Sequence, residues 1–325
     1  MSNSDYPIPP IRSQNPLKLP KMTTSPTSNP IQKLVNFAEK YARVARPSIQ
    51  QAIYAFGQQW CNEFETMLQN VYGEDHLLET SVKGYGRFIV DSMRRQRRFE
   101  IEQTYPAKTY AEAEAEVYLN DVYMEQQYLP SLLLSHFLWP HHYQQLIYFR
   151  SFFVPAMRAR KVSSFAEVGV GTGIYSRIAL EELPKAYGTG FDISPVSLKF
   201  AGRHVASYGF EDRYQTLLQD IIKSAPKQKF EAVVCVEVLE HLEDPVALLM
   251  ALKTMVASGG KLFVTAALNA AHADHIYLYR ESADVLAQVN AAGLLVENLF
   301  FANAYAPPKK NLPVPAALAM ILSVE

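Results

Sequence analysis

Cysteine is almost missing from this chain: Cys61 and Cys235 are the only two in 325 residues. Two thiols so far apart, each among apolar neighbours, exclude a disulfide framework and read as buried thiols of a reducing compartment. Excess charge of either sign is also lacking, with 31 Lys and Arg against 32 Asp and Glu. A duplex-binding surface needs surplus cations, so no nucleic-acid partner is expected. Arg94, Arg95, Arg97 and Arg98 form one local cluster, but four charges in five helical positions spread around more than one face and predict a solvated surface. No apolar run approaches the ~20 residues that span a bilayer, and the first residues lack the charged start and apolar stretch of a signal peptide. The expectation is a cytoplasmic protein without membrane contact.

Apolar material is plentiful, at 49% hydrophobic and 12% aromatic residues, enough for one large domain or two modest ones. Residues 1–28 carry Pro7, Pro9, Pro10, Pro16, Pro20 and Pro26 among Ser, Thr and Asn, a composition that predicts a disordered tail. Helical signals begin at Asn29-Pro30, an N-cap followed by proline at the first helical position. One helix follows with Leu34, Val35, Ala38, Tyr41 and Ala42 on a face. A second carries Ile49 to Val71 and stops at Gly73, and a third runs from about Phe88 to Glu100. Residues 29–160 are therefore predicted to be an all-helical cap.

From Ser163 the pattern changes to short apolar runs alternating with helices, as in a βαβ array. The predicted strands are Ser164–Gly169, Tyr187–Ile193, Tyr214–Ile221, Glu231–Val236, Lys261–Leu268, Leu294–Asn303 and Ala316–Glu325. Ser194-Pro195 and Asp244-Pro245 open two intervening helices, the second predicted to end at Gly259-Gly260, and Ser282 opens the last. The last two strands have no helix between them. The fold class is thus α/β, a seven-stranded mostly parallel sheet with an antiparallel last strand, over residues 161–325.

The first strand leads into Glu167-Val168-Gly169-Val170-Gly171-Thr172-Gly173 and then an apolar helix. Glycines there allow a tight turn and close backbone approach by a ligand, with helix N–H groups facing it. A dinucleotide fingerprint needs its third glycine at position 174, which is Ile174. Asp192-Ile193 ends the second strand, Asp220-Ile221 the third, and the fourth exits into Glu237-Val238-Leu239-Glu240-His241-Leu242-Glu243-Asp244-Pro245. Each acid also has a plain reading as a cap or loop residue. Four elements in order at strand ends resemble the class I S-adenosylmethionine-dependent methyltransferases, over roughly residues 141–325. The resemblance implies a Rossmann-like fold and S-adenosylmethionine as cofactor. It implies that Glu167, Gly169, Gly171, Gly173, Asp192, Ile193, Asp220, Ile221 and Glu237 bind it, Asp192 at the ribose hydroxyls and Asp220 at the adenine.

Ten aromatics fall within 118–153, with His136, His141 and His142 among them. Most must pack helices, but tyrosine hydroxyls suit a substrate pocket, and a sulfonium beside aromatic faces gains ~1–2 kcal/mol. Tyr128, Tyr175 and His241 are the candidate catalytic residues. His241 is open to three readings: general base, substrate contact or packed polar residue. His272, Asp274 and His275 follow the fifth strand without an obvious third ligand, so no metal is expected. The function expected is methyl transfer to a small molecule. Alternatives are internal cyclisation of S-adenosylmethionine, as in azetidine-2-carboxylate synthases on this fold, and cofactor binding without catalysis. A homodimer is an open option.

Overall fold

The computed structural model describes residues 29–307 and 312–324; the proline-rich segment 1–28 lies outside them. Three long helices open the chain: α1 (Pro30–Tyr41), α2 (Arg46–Tyr72) and α3 (Asp75–Glu102). Asn29 caps the first, its side chain accepting from the Ile31 and Gln32 amides at 2.8 and 3.2 Å. Short helices follow: α4 (Tyr110–Ala113), α5 (Asp121–Tyr123), α6 (Leu129–Leu138), α7 (Pro140–Tyr148) and α8 (Val154–Ala159). Between them lie three wide π-helical turns, Glu114–Tyr118, Met124–Tyr128 and Phe149–Phe153. Such turns hold one extra residue and swing the side chains that follow. The arginine cluster lies on α3 in ion pairs with its own helix: Arg95 with Asp91, Arg97 with Glu100 and Arg98 with Glu102.

The sheet follows. Its strands are β1 (Ser164–Val168), β2 (Tyr187–Asp192), β3 (Tyr214–Leu218), β4 (Phe230–Cys235), β5 (Val256–Leu268), β6 (Leu294–Asn303) and β7 (Ala316–Val324). Four helices alternate with them: α9 (Ile174–Glu182), α10 (Pro195–Ala206), α11 (Pro245–Met255) and α12 (Ser282–Ala291). Ser194 and Asp244 cap α10 and α11 as their Ser-Pro and Asp-Pro pairs predict. The strand order is 3-2-1-4-5-7-6, and β7 pairs antiparallel with both neighbours. The α/β Rossmann-like class with a helical cap is therefore the observed one. Several boundaries differ: α3 begins at Asp75 and not near Phe88, and β3 stops at Leu218, which leaves Asp220 and Ile221 in the loop beyond it. Helix α11 ends at Met255, not at Gly259-Gly260, because β5 starts early: Val256 pairs with Phe230 before a bulge restores the ladder at Lys261.

Both sheet faces are covered, as a mostly parallel sheet requires. Helix α11, α12 and the Leu248, Leu252, Val264 and Leu318 side chains form the core on one face. On the other, Phe149, Phe153 and Tyr175 meet Phe263 of β5, in a core that runs without a break into the cap at Trp60, Phe64 and Phe137. Trp60 Nε1 donates to the Phe137 carbonyl at 2.9 Å inside that core. Cys61 and Cys235 are both buried and free. No helix among the described residues is long and apolar enough to cross a membrane.

Candidate active site

The carboxyl ends of β1, β2 and β4 open into a cavity of about 770 Å³, bounded above by the cap. That is the edge where open α/β sheets bind ligands. After β1 the chain turns through Gly169 (φ +65°) and Gly171 (φ +48°), left-handed conformations that glycine alone adopts without strain. A Cβ on Gly171 would meet only open space, the nearest atom being the Gly169 carbonyl oxygen at 3.8 Å. This is a backbone laid bare toward the cavity. Gly173 is different: it does not line the cavity, and a Cβ there would meet Ala201 of α10 at 3.0 Å. It serves helix packing.

Acidic side chains rim this end. Asp192 accepts from the Gly171 and Ser194 amides at 3.1 and 2.8 Å, which fixes it beneath the glycine turn. Glu167 accepts from the Ser176 amide at 2.7 Å, and burial pushes its carboxyl up to about 8. Asp220 closes its own loop on the Ile222 and Lys223 amides; burial opposes its charge, yet contact with Lys223 holds it below the ordinary range. Glu237 sits at φ +53°, uncommon for a residue with a side chain. Its amide donates to Thr265 Oγ1 (2.9 Å), and that hydroxyl donates back to Glu237 Oε1 (2.7 Å). Ile193 and Ile221 add apolar surface.

The second end is built by the cap and the loop after β5. Gln96 of α3 grips that loop, donating to the Asn269 carbonyl (3.1 Å) and accepting from the Ala271 amide (3.0 Å). Tyr105 Oη donates to the Ala270 carbonyl at 2.5 Å, and Lys108 Nζ to that of Ala273 at 2.7 Å. So held, the loop buries Asp274, whose Oδ2 accepts from Tyr118 Oη (3.0 Å) and from Tyr128 Oη, and lies 3.3 Å from His241 Nδ1. Tyr118 and Tyr128 each end a π turn. Burial works against charge on His241, but Asp274 more than offsets it and raises the imidazole to about 9. Beyond lie His136, His141 and His272, which burial lowers to about 4, 3 and 4, the last two stacked on Trp139. The cavity is thus acidic at one end, aromatic and neutral-imidazole at the other.

Of the three candidate catalytic residues, all line the cavity, but Tyr175 is committed to packing. Its hydroxyl accepts from Gln145 Nε2 (2.8 Å) and its ring meets Phe149 edge-on. Sequence reasoning did not single out Tyr118, Asp274 as the partner of His241, or Glu240. It expected no metal-ligand set around His272, Asp274 and His275. The structure brings Glu240 and His241, from the turn after β4, against His275, because the Ile276 and Tyr277 amides both bond the Glu240 carbonyl. Backbone pairing across 36 residues leaves no spacing signal.

Residues 166–262 match the family model for a methyltransferase domain. Over 99 residues the chain is 32% identical to the ubiquinone biosynthesis O-methyltransferase of Aeromonas salmonicida, covering 30% of this chain and 41% of that protein. The corresponding Idiomarina loihiensis enzyme is 34% identical over 97 residues, covering 30% and 39%. The chain thus spans about two fifths of the length of the curated relatives it matches. Human N-acetylserotonin methyltransferase, solved with S-adenosylmethionine, superposes over 76% of this chain and 70% of its own with a TM-score of 0.52 at 15% identity, a likeness of fold. Residues 166–262 thus match a methyltransferase domain, and the strand-end motifs and sheet order around them are similar to those of class I S-adenosylmethionine-dependent methyltransferases.

Proposed function

We propose that the protein methylates an oxygen of a small molecule, within specialised metabolism, using S-adenosylmethionine. The observation that carries this is the two-ended cavity, which joins the glycine turn and its acids to a separate aromatic and imidazole chamber. A volume of about 770 Å³ lies high in the range of small-molecule sites, about 300–1,000 Å³, and has room for a second reactant. That room favours methyl transfer over internal cyclisation. The relatives' description as O-methyltransferases supports oxygen as the accepting atom.

The residues present fit the cofactor. The bare turn at Gly171 admits it, Asp192 and Asp220 stand at the ends of β2 and β3 to hold its ribose and adenine, and Glu167, Gly169, Ile193, Ile221 and Glu237 complete the wall. When bound there, S-adenosylmethionine supplies a methyl carbon already activated by its sulfonium. The protein then has to align the acceptor and keep water out. Trp139, Tyr118 and Tyr128 wall the chamber. His241, fixed at Nδ1 by Asp274 and Tyr118, keeps Nε2 free to bond an acceptor hydroxyl. In this reading residues 29–160 are a lid, 161–325 the cofactor domain, and the setting is cytoplasmic with a small-molecule partner.

Incubation with S-adenosylmethionine and hydroxylated metabolites, followed by mass spectrometry, tests it. S-adenosylhomocysteine formed only with an acceptor supports methyl transfer. Methylthioadenosine with a four-carbon cyclic amino acid, from the cofactor alone, establishes the cyclase instead. Binding without any product leaves a non-catalytic cofactor protein. On the binding step, Asp192→Ala is expected to weaken S-adenosylhomocysteine by ten- to a hundredfold, since hydrogen bonds to a charged acceptor are worth ~1.5–3 kcal/mol. Unchanged calorimetric affinity in a folded variant removes Asp192 from the site.

A further inference from the structure

We infer that Glu240, His241 and His275 form a binding site for one divalent first-row transition ion of the zinc or iron(II) class, set in the wall of the cavity. The inference does not need methyl transfer to hold, but an ion on His241 Nε2 would take that nitrogen from the acceptor hydroxyl and present its own open position instead.

The first observation is Glu240. Its side chain is wholly buried, and apart from the facing carboxyl of Glu237 neither oxygen has a hydrogen-bond partner among the described residues. Two buried carboxyls that face each other without further partners are costly and rare, and a cation is one of the few groups that satisfies them.

The second observation is the tautomer each histidine is made to adopt. His275 Nδ1 lies 2.7 Å from the Ala270 carbonyl oxygen, an acceptor only, so Nδ1 carries the hydrogen and Nε2 presents a lone pair. His241 Nδ1 faces the Asp274 carboxylate at 3.3 Å and the Asp274 carbonyl oxygen at 3.2 Å, so Nδ1 keeps its hydrogen and Nε2 is the atom that would release its proton to take an ion. A carbonyl or carboxylate bonded behind each imidazole is the support that metal-binding histidines use to fix ring orientation. The two rings stand 4.9 Å apart at 84°.

One ligand atom from each residue falls within a sphere where all three lie within 4.8 Å of one another. Ligands about a tetrahedral zinc ion, at bonds of ~2.0–2.1 Å, stand roughly 3.3–3.4 Å apart, so closing on an ion needs shifts of ~1 Å. Two imidazoles with one carboxylate suit zinc, iron(II) or cobalt(II) and not magnesium, which prefers oxygen. His241 and His275 line the cavity, whereas Glu240 lies behind them. The ion would meet protein on one side and open space on the other, the arrangement of a site that keeps a position for a further ligand.

Cobalt(II) is the probe, because its visible bands report ligand number and type. The full chain, stripped with a chelator and titrated with Co2+, is expected to bind one equivalent and to develop bands between about 500 and 650 nm, displaced by one equivalent of Zn2+. Glu240→Gln and His275→Asn should each lose the bands and at least tenfold in affinity, with circular dichroism unchanged. His272→Ala, beside the set but outside it, should retain them. Failure of the unaltered chain to take up either Co2+ or Zn2+ overturns the site whatever the variants do. So does uptake that survives both folded substitutions.

Discussion

Gly171→Val is expected to abolish binding of S-adenosylmethionine and S-adenosylhomocysteine, by at least a hundredfold, while the protein still folds. Two effects act together. The backbone at 171 has φ +48°, which costs a β-branched residue ~1–3 kcal/mol unless the turn rearranges. The isopropyl group meets no protein atom close by and so projects into the space a ligand needs. The fold is expected to survive for that same reason. Calorimetry with S-adenosylhomocysteine, alongside thermal unfolding, is the measurement. A folded variant that binds with unaltered affinity would show that the cofactor does not approach this turn.

Asp274→Ala is expected to be among the most destabilising single changes outside the apolar core, lowering the melting temperature by on the order of 10 °C. One carboxylate oxygen serves Tyr128 and His241, both buried, and the half-buried Tyr118. Its loss leaves two hydroxyls and an imidazole in the interior without their shared partner, and removing one member of such a set typically costs ~3–5 kcal/mol. At roughly 2–4 °C per kcal/mol for larger domains, that is the shift quoted. Tyr118→Phe alone should cost far less, because Asp274 keeps two partners. Differential scanning calorimetry of both variants decides; equal, small shifts would mean that Asp274 is solvated and the cluster loosely held.

The sheet was legible because its punctuation is local. Ser194-Pro195 and Asp244-Pro245 announce helix starts, and Asp192 and Asp220 fall just beyond apolar runs, so strand ends and the acids on them are read together. Gly173 misled for an instructive reason. It belongs to the same glycine pattern as Gly169 and Gly171, but contact with Ala201, 28 residues on, decides its use. The cluster at Asp274 was hidden more deeply. Tyr118 and Tyr128 reach it only because each ends a π turn, and helical periodicity counted at 3.6 residues per turn assigns such positions to the wrong face. The aromatics of 118–153 divide in the same way: Phe137, Phe149 and Phe153 are core, whereas Tyr118, Tyr128 and Trp139 face the cavity. Composition marked the segment but had no means to sort its members.

Strand β7 has a bearing on how the molecule is made. It follows β6 in the chain but lies between β5 and β6, bonded along its length to both. Until residues 316–324 have left the ribosome and inserted, β5 lacks its outer neighbour and β6 has no partner in the sheet. The nascent protein therefore passes through a stage with two long unsealed edges, Lys261–Leu268 and Leu294–Asn303, rich in apolar side chains. Edges of that kind recruit strands from other molecules. Translation that stalls just before Ala316 would yield a species prone to aggregate, although nearly the whole cofactor-binding half is already present.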